Sequence, residues 1–264
     1  MMARSSVLVY RGTGASETGC FHLLNSLRSS LDSSSHDVQF VSPEGIIKDF
    51  QLQNAAMVAF GGGYTSGFET ALGHTGINNL RDYVLGGGSY LGFGAGGYFG
   101  CDFIEFDKGG PLEKFSERDL RFYPGTGIGP VYQGFKYNTN QGVNAAPVTF
   151  HGTGLSSLSF YAFIDGGGMF KLRDTVKPDS SVTHTECLAQ YDELSGKPGA
   201  VVRTLVGQGR AVLSGVHLEY DAISIVDSDP SLEQFRKHFE DSVESQQLAF
   251  NALLKLLNLH VVNK

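Results

Sequence analysis

The sequence predicts an α/β fold: a mainly parallel sheet flanked by helices, with an added β-rich antiparallel segment over about residues 102–205. Two observations carry this. Short, fully apolar runs alternate with helical periodicities over the first hundred residues, the pattern of βαβ units whose strands are buried on both faces. Beyond them, aromatic-rich pieces separated by turn residues read as antiparallel strands.

In chain order, Val7-Leu8-Val9-Tyr10 is the first strand, ended by Arg11-Gly12-Thr13-Gly14. A helix follows from Glu17 to about Leu31, with Phe21, Leu24, Leu27 and Leu31 at helical spacing. Val38-Gln39-Phe40-Val41 is the second strand, and Ala55 to Phe60 is a third that runs into Gly61-Gly62-Gly63. Ile77 to Val84 makes a helix stopped by Gly86-Gly87-Gly88, and Ser89 to Phe93 is the fourth strand. The β-rich segment holds Arg121 to Gly125, Phe135 to Asn138, Ser159 to Phe163, Glu186 to Tyr191 and Ala200 to Arg203. Ala211 to Gly215 is a further buried strand. A helix from about Ser231 to Leu257, broken near Ser242, closes the chain with Leu248, Leu253, Leu256 and Leu257 toward the core. No repeat or linker interrupts residues 1–264, so one domain is expected.

Composition narrows the function. The chain has 264 residues, a net charge of −7, and 35 glycines against 8 prolines. The acidic balance disfavours nucleic acid and anionic membrane surfaces as partners. No apolar run is long enough to span a bilayer, and the run after Met1–Ser6 is too short for a secretory signal, so a cytoplasmic location is expected. The three cysteines, Cys20, Cys101 and Cys187, form no CxxC, and the eight histidines lack ligand spacing; neither a disulfide scaffold nor a metal site is expected. Cys20 and Cys187 read as core residues; Cys101, seven residues beyond Gly94, is a candidate substitute nucleophile but reads by default as a partly buried structural thiol. The loop Gly12-Thr13-Gly14 is a weak dinucleotide signal, since Glu17 stands at the third glycine position and no Walker lysine follows. No cofactor is expected.

Open parallel sheets place their sites beyond the carboxyl ends of the strands. Three such ends are unusual: Gly61-Gly62-Gly63, Gly94-Ala95-Gly96-Gly97, and His217-Leu218-Glu219. Gly92 to Gly97 has the shape of a nucleophile elbow, and His217 with Glu219 suits a base and its orienting carboxylate. The attacking position, however, is Gly94. Arg118 and Arg121 are candidate anion contacts, with Asp119 as the alternative partner for both.

These residues resemble the biotin–protein ligase N-terminal family, itself similar to class I glutamine amidotransferases and flavodoxin-like in fold. The resemblance runs from Val7–Gly12 through Phe60-Gly61-Gly62, Tyr90–Gly100, Ile104-Glu105-Phe106 and Arg118–Gly125. It continues with Gly129-Pro130, Gly134–Tyr137, Asp165-Gly166-Gly167 and Ser214–Glu219. It implies a catalytic cysteine at position 94, where this chain has glycine, and a His-Pro-Glu where it has His217-Leu218-Glu219. It also implies an oxyanion hole from the backbone amides of Gly62 and Ala95, with Gly61 and Gly96 beside them. The ligase's glycine–arginine-rich adenylate loop is absent, so the chain is not expected to biotinylate by itself. The implied function is a non-catalytic ligand-binding or regulatory one, with a small carboxylate or carboxamide ligand or a protein partner. Three alternatives stay open: a Cys-His-Glu amidohydrolase or amidotransferase whose cysteine at position 94 has been replaced, hydrolysis by a water activated by His217, and an interaction module built on the aromatic middle segment.

Overall fold

A computed structural model describes residues 5–152, 157–173 and 181–262; Met1 to Arg4 of the amino-terminal run lie outside them. The first βαβ passage is β1 (Ser5–Tyr10), α1 (Glu17–Ser30), β2 (His36–Val41), α2 (Pro43–Ile47), β3 (Ala55–Phe60), α3 (Thr65–Leu85) and β4 (Ser89–Phe93). Helix α1 starts where the Ser16 side chain accepts from the Gly19 N–H, with Glu17 in its positive first turn. Its apolar stripe of Leu23, Leu24 and Leu27 is buried, each side chain contributing about 2 kcal/mol of burial. Phe21 falls off that stripe and is 44% exposed. It packs edge-on to Phe40 at 5.5 Å, with the Arg11 guanidinium over both rings.

After the short α4 (Ala95–Phe99) come β5 (Cys101–Phe106), β6 (Lys114–Glu117), β7 (Tyr123–Gly129), β8 (Asn144–Phe150), β9 (Leu158–Ile164), β10 (Met169–Leu172), β11 (Val182–Tyr191) and β12 (Gly199–Val206). The chain then forms β13 (Gly209–Ser214), α5 (Ala222–Ser228), a 3-10 turn (Pro230–Phe235), α6 (Arg236–Glu240) and α7 (Val243–Leu256).

Among the described residues the strands join one sheet in the order β2-β1-β3-β4-β13-β12-β10-β7-β5-β6, with β11, β8 and β9 branching from β12. The half β2-β1-β3-β4-β13 is parallel throughout. Its strands are close to fully buried, with Val7, Leu8, Val58, Ala59, Leu91 and Val212 at 0% exposure, because helices cover both faces. The segment expected to be antiparallel is so along β8–β12, but β5 and β7 pair in parallel. The antiparallel β6 that lies between them in the chain takes the outer side of β5.

Three expectations about side chains are corrected. Leu248 is 43% exposed, because the buried stripe of α7 is Ala249, Phe250, Leu253 and Leu254. Cys187 is exposed: the β11–β12 register shifts between Cys187 and Ala189, which turns the thiol off the core face. Arg118 and Arg121 do not pair with Asp119. Arg118 is buried against Glu69, and Arg121 bonds Glu117 at 2.9 Å and lies 3.6 Å from Asp102. The break near Ser242 is present and has a cause. The Ser242 hydroxyl accepts from the Tyr161 N–H at 2.9 Å and donates to His238 O at 2.6 Å, stitching the interruption to β9.

Candidate active site

The carboxyl ends of β1, β3, β4 and β13 open onto one cavity of about 1200 Å³. A second hollow of about 680 Å³ sits at the amino ends, against Ser5, Ala55, Ser89 and Arg210, the end opposite to where open parallel sheets place their ligands.

The elbow stands at the centre of the larger cavity. Gly94 has φ +51° and ψ −111° between β4 and α4, a backbone region that favours glycine. Its N–H donates to Ser214 O at 2.9 Å and its carbonyl accepts from the Tyr98 N–H at 3.0 Å, so both neighbouring elements fix the turn. A β-carbon placed on Gly94 would lie 3.2 Å from His217 Nε2 and 3.7 Å from Gly62 Cα. Position 94 therefore faces the histidine and the neighbouring glycine loop at once.

His217 and Glu219 follow β13, on a turn held from three sides. The His217 N–H donates to Phe163 O at 2.8 Å, the Ser26 hydroxyl donates to Glu219 O at 2.6 Å, and the Gln246 amide donates to Leu218 O at 3.0 Å. His217 is 2% exposed and Glu219 0%. The ring Nδ1 meets Glu219 Oε1 at 2.8 Å. An ionised carboxylate only accepts, so Nδ1 carries the proton and Nε2 is left with its lone pair toward Gly94. Glu219 Oε2 is buried without a hydrogen-bond partner. A desolvated carboxylate of this kind is costly alone, and the Nδ1–H bond satisfies only Oε1.

The two glycine loops interlock. The Gly96 N–H donates to Gly61 O at 3.1 Å, and a β-carbon on Gly96 would meet Phe60 O at 2.2 Å. Gly61 and Gly96 thus join α4 to β3 behind the cavity, whereas Gly62 and Ala95 line it. Ala95 is the first residue of α4, so its N–H has no intrahelical acceptor and sits at the positive end of the helix. Gly14 of the first loop also borders the cavity.

Several lining residues had no assigned role in the sequence. Tyr220 stacks on His217 with ring centroids 4.3 Å apart, and His22 stacks on the other side of Tyr220 at 4.7 Å. Burial pushes the Tyr220 phenol well up and pulls the His22 imidazole down. Asp165, one residue beyond β9, also lines the cavity. Burial raises its carboxyl to about 6, against a smaller opposing pull from His217, and its Oδ1 has no hydrogen-bond partner. Tyr220 adjoins Glu219 in sequence, but Asp165 lies 52 residues before His217, and the pairing of β9 with the His217 turn through Phe163 brings them together.

Cys101 does not reach the site. It opens β5 fully buried, its thiol donating to Gly97 O at 3.5 Å, and burial drives its pKa far up. Arg118 and Arg121 are not among the residues lining the cavity. Among the described residues no group of three or more His, Cys, Asp or Glu side chains gathers to hold a metal, and no helix is long and apolar enough to cross a membrane.

A buried parallel sheet, a glycine elbow after β4 and a His–Glu pair after β13 define a class I glutamine amidotransferase-like fold. A glutamine amidotransferase from Thermotoga maritima superposes on it with a TM-score of 0.54, at 13% identity over 97% of this chain and 98% of that one. The chain belongs to the family described as biotin-protein ligase, N terminal, whose model matches residues 5–264. It is 29% identical over 258 residues to a biotin–protein ligase of Schizosaccharomyces pombe, covering 97% of this chain but 38% of that protein. An uncharacterized protein of Chlamydia muridarum is 30% identical over 267 residues, covering 99% of this chain and 100% of that one.

Proposed function

We propose that this chain is a glutamine amidotransferase-like protein that holds a small carboxylate or carboxamide ligand without turning it over by thiol chemistry, in a binding or regulatory role. The observation that carries the reading is Gly94 at the elbow, facing His217 Nε2 across the space a side chain would fill. A thiol amidohydrolase needs a thiolate there to attack the carboxamide, and hydrogen cannot replace it. The buried Cys101 is no substitute, since its thiol lies behind the elbow and is held protonated. What remains suits binding. The Ala95 and Gly62 amides favour a carbonyl or carboxylate oxygen, and the His217 Nε2 lone pair accepts from a donor such as a carboxamide N–H. The ligase activity named for the fission-yeast relative is not assigned to this chain, which spans 38% of that protein.

Purified chain incubated with L-glutamine is expected to release no ammonia above background. Release that disappears in His217→Ala would overturn the reading. A second reading is favoured by the alignment of position 94 with His217: a Cys-His-Glu amidohydrolase whose cysteine has been replaced by glycine. On that reading the Gly94→Cys chain releases ammonia in the same assay.

A further inference from the structure

The charges lining the cavity do not balance. Glu17 is paired with Arg11, and Lys114 lies 3.9 Å from Glu69. Asp165 has no ion-pair partner among the described residues, and its Oδ1 is buried without a hydrogen bond. A carboxyl buried in this way is costly unless a donor or a cation meets it. Its place is fixed relative to the elbow, because β9 pairs with the His217 turn through the Phe163–His217 bridge. His217, on the paired turn, already uses its Nδ1 on Glu219.

The wall on the other side of the elbow is aromatic. Phe106 and Phe135 meet edge to face at 5.8 Å, Phe135 and Tyr137 at 4.9 Å, and Tyr137 and Tyr64 at 6.3 Å. These four rings line the same cavity, whose volume of about 1200 Å³ far exceeds one small amino acid.

We infer that Asp165 is a specificity residue of this site, selecting a ligand that carries a free ammonium next to an amide carbonyl, as at the amino terminus of a peptide, with an apolar side chain on the aromatic wall. The ammonium bonds the Asp165 carboxylate, the carbonyl accepts from the Ala95 and Gly62 amides, and the side chain packs against Phe106 and Phe135. No bond is made or broken. This assignment rests on the reading that the cavity binds a carbonyl or carboxylate group without turnover.

Calorimetric titration at pH 7 with phenylalanyl-glycinamide and with its N-acetyl form tests it. Acetylation removes the cation and keeps the amide carbonyl. The free amine is expected to bind at least about tenfold more tightly, the worth of one charge-assisted hydrogen bond. Asp165→Asn should bring the two within about twofold, while Phe135→Ala weakens both and keeps their ratio. Equal binding of the two peptides to the unmodified chain overturns the role of Asp165 and leaves the carbonyl-binding frame standing. No binding of either peptide up to about 10 mM overturns the frame and the assignment together.

Discussion

Glu219 sits at 0% exposure with one oxygen on His217 and the other on nothing. Such an arrangement is poor for stability, since removing either partner of a buried pair leaves the other uncompensated. Its use is to fix the imidazole tautomer and aim Nε2 at position 94. Asp165 makes the same point with a sign that can be measured. Its folded pKa of about 6 lies above the ordinary 3.8, so the folded state holds this proton more tightly than the unfolded chain. Stability contributed by that proton is present below the ordinary value and lost as pH rises through 6. Asp165→Asn is therefore expected to raise stability at pH 7.5 by about 2 kcal/mol, discounted for partial exposure, with the gain fading as pH falls toward 4. Urea denaturation of both chains across that range checks it; a pH-independent difference would contradict the raised pKa. His217 and Glu219 were legible in the sequence because a strand end places them by position alone. Asp165, Tyr220 and His22 were not, because their roles come from long-range pairing and ring stacking that no local pattern encodes.

Among the elements, the short helix α4 carries the largest share of the geometry. It is five residues long and fully buried, and a helix of that length has no stability of its own. Contacts with β3 and β13 hold it, and they require glycine where backbones nearly touch. Gly96→Ala would drive a methyl into Phe60 O and is expected to cost about 2–3 kcal/mol, read as a lower thermal midpoint. An unchanged midpoint would mean that the two loops are not interlocked as described. The same glycines explain where element boundaries could be read. Ala55–Phe60 is a purely apolar run ended by Gly61, Ser89–Phe93 is a mostly apolar run between Gly88 and Gly94, and both match the strands residue for residue. Helix α3 reaches back to Thr65, well before the predicted Ile77, because Gly67, Gly73 and Gly76 dilute its periodicity and its backbone leaves helical geometry at Gly73. The parallel pairing of β5 with β7 had no sequence signal either: strand direction depends on where β6 is sent, which is a tertiary choice.

For the molecule as a whole, the sheet collects separate loops at one end, and the branch through β11, β8 and β9 brings a further strand back to the same place. The first loop bridges to the second through Ala15 and Gly63, the second bonds the elbow through Gly61 and Gly96, and β9 bridges to His217. This assembly gathers Gly62, Ala95 and the His217–Glu219 pair around position 94, which bears no side chain. Iodoacetamide labelling of a Gly94→Cys, Cys187→Ser chain across pH tests it most directly, because Cys20 and Cys101 are buried and Cys187 is exposed. Fast modification is expected at pH 6, well below the ~8.5 of a free thiol, since a helix amino terminus and His217 stabilise the thiolate, with loss of that reactivity in the added His217→Ala background. Slow labelling that rises only near the ordinary thiol range, and is indifferent to His217, would contradict it.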